Sequence, residues 1–350
     1  MNHNTPLSPR PLNRLSDVRQ RVLTIAQLRA HGVPAGEINE RCRPGGCWQQ
    51  SLPGVVVLHP GPVTGEERLH AALRYAARSL RTAGGVPVQP ASGMAPVPAS
   101  ASDPYPDAMI TGLAALALYR VASVPAPADL DRVDVLVPRL RRLRSAGYAR
   151  IVRTAALPEP ETVLGIPVAP APRALADAVA ELDDATTVRR LLTEAVRGRH
   201  CEPAAVVREL NRARLLGRPH VVDAVEALLA EGRAIAEDRL YRMVREERLP
   251  DPVWNVDLRL PGGPCLGRLD AYWPDHAVAL ELDTRTQAED PQLSEHTRKR
   301  EHLERLGITV VHITPQKLRE TPAHPAAIIR TALMAAADRD PAAYVLVLPH

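Results

Sequence analysis

Phenylalanine is absent from these 350 residues, and lysine occurs only twice, at Lys299 and Lys317. Arginine therefore carries nearly all the positive charge. Abundant Ala, Arg, Pro and Gly at the expense of Lys, Phe and Asn is the signature of GC-rich coding, so arginine content alone is weak evidence for nucleic-acid binding. No apolar run approaches the roughly 20 residues a spanning helix needs, the longest lying around Gly112–Leu118, which excludes a transmembrane helix. The four cysteines (Cys42, Cys47, Cys201, Cys265) form no CxxC pair, which excludes a structural zinc site. With no charged segment followed by an apolar run at the N-terminus, a reduced cytoplasm is the expected compartment.

What is present suits a folded chain of two to three domains: 45% hydrophobic and 24% charged residues, with 35 prolines punctuating it. The first hundred residues hold eleven arginines against five acids, whereas residues 233–350 hold sixteen basic against eighteen acidic side chains. A polyanion partner would meet the front of the chain. A solvated basic surface is the plain alternative.

Residues 1–15 read as a loose tail. Thr24-Ile25-Ala26-Gln27 has capping-box spacing and opens a short helix that Gly32 ends. Pro34 starts a second, through Ile38 to Arg41, stopped by Pro44-Gly45-Gly46. Trp48 to Gly54 and Val55 to Leu58 then read as two strands around a turn. The pattern over 16–62 is a winged helix-turn-helix. The run Gly46, Trp48, Gln49, Pro53, Gly54 and Val55 resembles the winged-helix domain of AbiE-type abortive-infection antitoxins. That resemblance implies duplex DNA as a partner and, in a toxin-antitoxin context, a cognate toxin. Arg41, Arg43, Gln49 and Gln50 are its DNA-contacting candidates.

Glu66 to Leu80 has a helical stripe of Leu69, Leu73 and Ala76 or Ala77, and the Pro/Ala/Ser/Gly-rich stretch completing 63–106 reads as a linker. An α/β middle domain follows over 107–232: a helix from Asp107 to Tyr119, strands at Val133–Val137 and Ala149–Arg153, and helical patterns at 173–181, 186–197, 203–215 and 219–231. The run Arg139 to Arg144 is either a solvated hairpin tip or a phosphate-contacting loop through Arg141, Arg142 and Arg144.

Residues 233–350 read αβββαβ. Placing the second hairpin turn at Asp275-His276 sets Asp270 opposite Glu281, with Asp283 on the same face as Glu281. Clustered carboxylates on a sheet are either an exposed acidic hairpin end or a cation site, and oxygen-only ligands favour Mg²⁺ or Mn²⁺. The arrangement Leu269-Asp270, Glu281-Leu282-Asp283, Thr297-Arg298-Lys299-Arg300 and Gly307 to Val311 resembles the PD-(D/E)XK nuclease superfamily, especially its very-short-patch-repair-like branch. The resemblance implies a restriction-endonuclease-like fold, metal positions at Asp270, Glu281 and Asp283, and an auxiliary acid at Glu237. Glu237 read alone is a helix-first-turn carboxylate. Thr284 stands where that family has glycine, its following His is absent from Arg285–Asp290, and Asp283 occupies the usual lysine position. Lys299 replaces that lysine or forms an i,i+4 pair with Glu295. His296, His302 and His312 read as ordinary histidines. The whole is a mixed α/β chain, either a metal-dependent DNA nuclease, a non-enzymatic antitoxin-like regulator, or a protein-interaction module.

Overall fold

The computed structural model describes residues 18–77, 105, 107–283, 292–336 and 345–349. The tail at 1–15, residues 83–104 and 106 of the linker at 83–106, Thr284, Arg285–Asp290 and the side chains of Glu295 and His296 lie outside the described residues. The chain is mixed α/β and divides into two compact units, residues 1–183 and 184–350.

In the first unit, α1 (Val18–Arg21) leads into β1 (Val22–Thr24), and Thr24 then caps α2 (Ile25–Ala30). Its Oγ1 accepts the Gln27 N–H at 3.1 Å while Gln27 Oε1 accepts the Thr24 N–H at 2.9 Å, the reciprocal bonds of a capping box. Gly32, at φ +84°, reverses the chain in a conformation that a side chain would strain. Pro34 stands just before α3 (Ala35–Arg41) as its cap rather than inside its first turn. β2 (Gln49–Leu52) and β3 (Val55–Val57) form the hairpin, and β1 adds to it in the order β1-β3-β2. Leu28, Ile38, Trp48, Val56 and Leu58 fill the space between helices and sheet. This is the element order of a winged helix-turn-helix.

Helix α4 (Gly65–Ala77) is buried along nearly all its length, not along one stripe. Even Glu67 is buried, and it is tolerated because its carboxylate accepts from Thr64 N–H at 2.9 Å and lies 3.0 Å from His59 Nε2. Burial raises its pKa, but the bonds to Thr64 and His59 outweigh burial and leave it below the usual range.

The expected helix from Asp107 begins instead as a strand, β4 (Met109–Thr111), followed by α5 (Gly112–Leu118). β-branched Ile110 and Thr111 suit the strand, and Gly112 at φ +61° makes the turn between the two. With β5 (Val133–Pro138), β6 (Ala149–Thr154), β7 (Glu161–Val163) and β8 (Ile166–Val168), β4 forms a sheet of order β6-β5-β4-β8-β7, and α6 (Ala171–Val179) follows. β5 and β6 run parallel, so Arg139–Arg144 follows β5 in a crossover and is not a hairpin tip.

The second unit begins with α7 (Ala185–Arg197), α8 (Pro203–Arg212) and α9 (Pro219–Glu246). Helix α9 runs unbroken where two helices were expected. A Cβ at Gly232 would lie 2.3 Å from Pro203 Cγ, so this glycine permits close approach of α8 and does not end the helix. Strands β9 (Val253–Arg259), β10 (Cys265–Trp273) and β11 (Val278–Leu282), helix α10 (Gln292–Arg305) and β12 (Thr309–Ile313) complete the αβββαβ order. After α11 (Pro315–Glu320) and α12 (Ala323–Ala336), the apolar tail forms a further strand, β13 (Leu346–Pro349), on β9. The sheet order is β12-β11-β10-β9-β13, parallel only between β11 and β12.

Both faces of this sheet are covered, which is why β11 reads as a nearly continuous apolar run. Ala236, Leu240 and Met243 of α9 pack with Ala271, Trp273, Leu280 and Leu282, while Leu303 of α10 packs with Tyr272 and Ala279. Trp273 is 2% exposed, and its indole N–H donates to Pro250 O at 2.7 Å, so the ring is buried without a polar penalty. Among the described residues no helix is long and apolar enough to cross a membrane.

Candidate functional site

The hairpin of β10 and β11 pairs Ala271 with Leu280, Tyr272 with Ala279 and Trp273 with Val278. Its loop spans Pro274 to Ala277, with Ala277 in the left-handed region, rather than the two residues Asp275-His276. The register is nevertheless the expected one, and its continuation sets Asp270 against Glu281 on the two central strands. Asp270 is 6% exposed. It accepts the Leu282 N–H at 2.7 Å through Oδ2 and Arg233 Nη2 at 2.5 Å through Oδ1. Arg233 also donates through Nε to Glu237 Oε1 at 2.9 Å, so one turn of α9 ties both acids to a single guanidinium. The Asp270 carboxyl is pushed up chiefly by burial. The Leu282 N–H and Arg233 pull it back, and the negative charges of Glu237 and Glu281 raise it again, with a net upward shift.

Glu281 takes its cation from the other helix layer. Lys299 of α10 pairs with its Oε1, and the same ammonium donates to Arg268 O at 2.6 Å. On the far side His312, its register partner on β12, brings Nδ1 to 3.5 Å from Glu281 Oε2. Four of the residues anticipated from sequence, Glu237, Asp270, Glu281 and Lys299, thus belong to one charged cluster where both helix layers reach the sheet. Asp283 stands one residue beyond β11, half-buried, with its backbone N–H donating to Ile313 O at 2.8 Å. Among the described residues no three His, Cys, Asp or Glu side chains form a group able to hold a metal ion. The donor chemistry at Asp270 and Glu281 is that of a hard divalent cation. Each carboxylate here also carries an internal cation, Arg233 on Asp270 and Lys299 on Glu281.

The DNA-contacting candidates separate into two groups. Arg41 is paired with Glu37 and stacked 4.4 Å over the Trp48 ring, and Arg43 lies 2.9 Å from Glu40. Gln49 spends its amide N–H groups on His59 O and Gly61 O, while Gln50 is exposed on β2. In the crossover, Arg142 and Arg144 are exposed and Arg141 is half-buried, beside Leu140 at 91% exposure.

Two members of this cluster were not placed in it by sequence reading. Arg233 was recoverable as the i,i+4 partner of Glu237. His312 required the parallel pairing of β11 and β12, which no local pattern encodes. A scan against protein-family models finds no match to this chain, and a search of curated proteins finds none either.

Proposed function

We propose that the chain is a DNA-binding protein whose C-terminal sheet hydrolyses phosphodiester bonds with Mg²⁺ or Mn²⁺. The observation that carries this reading is the facing of Asp270 and Glu281 on central strands, with Glu237 on the preceding helix and Lys299 reaching in from the following one. Asp270 and Glu281 would hold the ion, which when bound polarises a phosphate and lowers the pKa of an attacking water. Glu237 and Arg233 hold Asp270 in orientation. Lys299 presents a cation beside Glu281, where a phosphate oxygen carrying developing negative charge would be stabilised. The winged helix and the exposed Arg142 and Arg144 supply duplex contacts, and a reduced cytoplasm is the compartment in which these free cysteines and this chemistry belong.

A second reading is an antitoxin-like transcriptional regulator, with or without a cognate toxin, in which the nuclease-like sheet is only a scaffold. It is favoured by the internal neutralisation of both carboxylates by Arg233 and Lys299. Nicking of supercoiled plasmid by the purified chain separates the two. The nuclease reading expects Mg²⁺- or Mn²⁺-dependent nicking that is lost in Asp270→Ala and Glu281→Ala and kept in Glu40→Ala. Binding of duplex DNA with no cleavage under either ion leaves the regulator, and no DNA binding at low salt leaves a protein-interaction module.

A further inference from the structure

Gly267 lies in β10 where the pairing with β9 shifts register, and its φ is +127°, a region that side chains rarely adopt. The space in front of it is filled by the stem of Lys299. A Cβ built on Gly267 would lie 2.4 Å from Lys299 Cε, 2.9 Å from Cδ and 3.0 Å from Nζ. The bulge also places the carbonyl of the next residue, Arg268, 2.6 Å from the Lys299 ammonium. Glycine here therefore does two things at once: it opens a notch through which the lysine crosses to Glu281, and it offers that lysine a second acceptor.

We propose that Gly267 is a positioning residue for Lys299, fixing the ammonium on Glu281 so that its remaining N–H faces a substrate phosphate oxygen. An ammonium has three donors. Among the described residues two are used, on Glu281 and on Arg268 O. Lysine is a flexible point charge on a four-carbon stem, so a fixed position needs walls. The notch is that wall, and it lets α10 supply the cation that β11, with Asp283 in the usual place, does not. The inference rests on the nuclease reading for its catalytic meaning, but its geometry is testable without any cleavage.

The chain has only two lysines, and Lys317 is exposed on α11, so it serves as an internal reference. The experiment is competitive acetylation of the intact chain by acetic anhydride, read by mass spectrometry as the Lys299/Lys317 ratio. In the wild type Lys299, engaged and 19% exposed, reacts more slowly than Lys317. Gly267→Ala is expected to raise the ratio by about tenfold, the worth of a charge-assisted hydrogen bond. Where that variant folds poorly, the thermal midpoints of Gly267→Ala, Lys299→Ala and the double variant close a cycle. The alanine at 267 should then cost less when Lys299 is already absent. An unchanged ratio in a folded Gly267→Ala, or the same midpoint loss with and without Lys299, overturns the proposal. A raised ratio in a chain that never nicks DNA upholds the notch and sinks the nuclease reading, whereas nicking with an unchanged ratio does the reverse.

Discussion

Replacing Arg233 with Ala removes the one cation paired with Asp270 among the described residues and leaves two acids, Asp270 and Glu237, without the guanidinium they share. Breaking a fully buried ion pair costs about 3–5 kcal/mol, because the partner's charge stays desolvated. Asp270 meets that condition, with a side chain 7% exposed, but the Arg233 side chain is 36% exposed. Water that already reaches the guanidinium takes over part of its role, which brings the expected loss to about 1–2 kcal/mol. Its pH dependence has a definite sign. Burial already holds the Asp270 pKa above its ordinary value, and loss of Arg233, which lowers it, raises it further. An acid with a raised folded pKa destabilises the native state above that pKa, and the penalty disappears as pH falls below the ordinary value. Urea denaturation of wild type and Arg233→Ala should therefore show the full difference at about pH 7 and a smaller one on acidification. Adding Asp270→Asn to Arg233→Ala removes the stranded charge while keeping an acceptor for the Leu282 N–H, and should recover stability at neutral pH. An equal loss at both pH values, or no recovery in the double variant, would refute the reasoning.

In the winged helix, Thr24→Ala removes the capping bond that Thr24 Oγ1 accepts from the Gln27 N–H while leaving the backbone N–H of residue 24 to donate to Gln27, and should cost about 1 kcal/mol in chemical denaturation of the first unit, with Thr24→Ser close to wild type. Against duplex DNA, Arg142→Ala and Arg144→Ala should each lower the slope of log affinity against log salt by about 1, measured by fluorescence anisotropy. Arg41→Ala should change that slope less, since Glu37 and the Trp48 ring already engage its guanidinium. Equal slopes for all three variants would remove the crossover from the interface.

The parts of the fold that local chemistry controls were legible in the sequence. The Thr24–Gln27 box, the Pro-Gly wing turn and the 270/281 register all depend on residues within a dozen positions of one another, and all appear as expected. What was misread depends on distant partners. Ile110 and Thr111 look like the start of an alanine-rich helix until β5 and β8 pair on either side of them. Gly232 looks like a helix end until Pro203 is seen packed against it. The tail at Val345–Pro349 has no strand identity without the open edge of β9 to receive it. At the site, the carboxylates were legible because alternation and turn position fix their faces. Of the cations that neutralise them, Lys299 was anticipated as a site residue, whereas the reach of Arg233 to Asp270 depends on how α9 packs against the sheet.

The most direct measurement is calorimetric titration of Mn²⁺ into the intact chain and into Asp270→Asn and Glu281→Gln. The account predicts one saturable site in the wild type, lost or severely weakened in both variants. A wild-type chain that takes up no Mn²⁺, or one whose binding survives both substitutions unchanged, would contradict it.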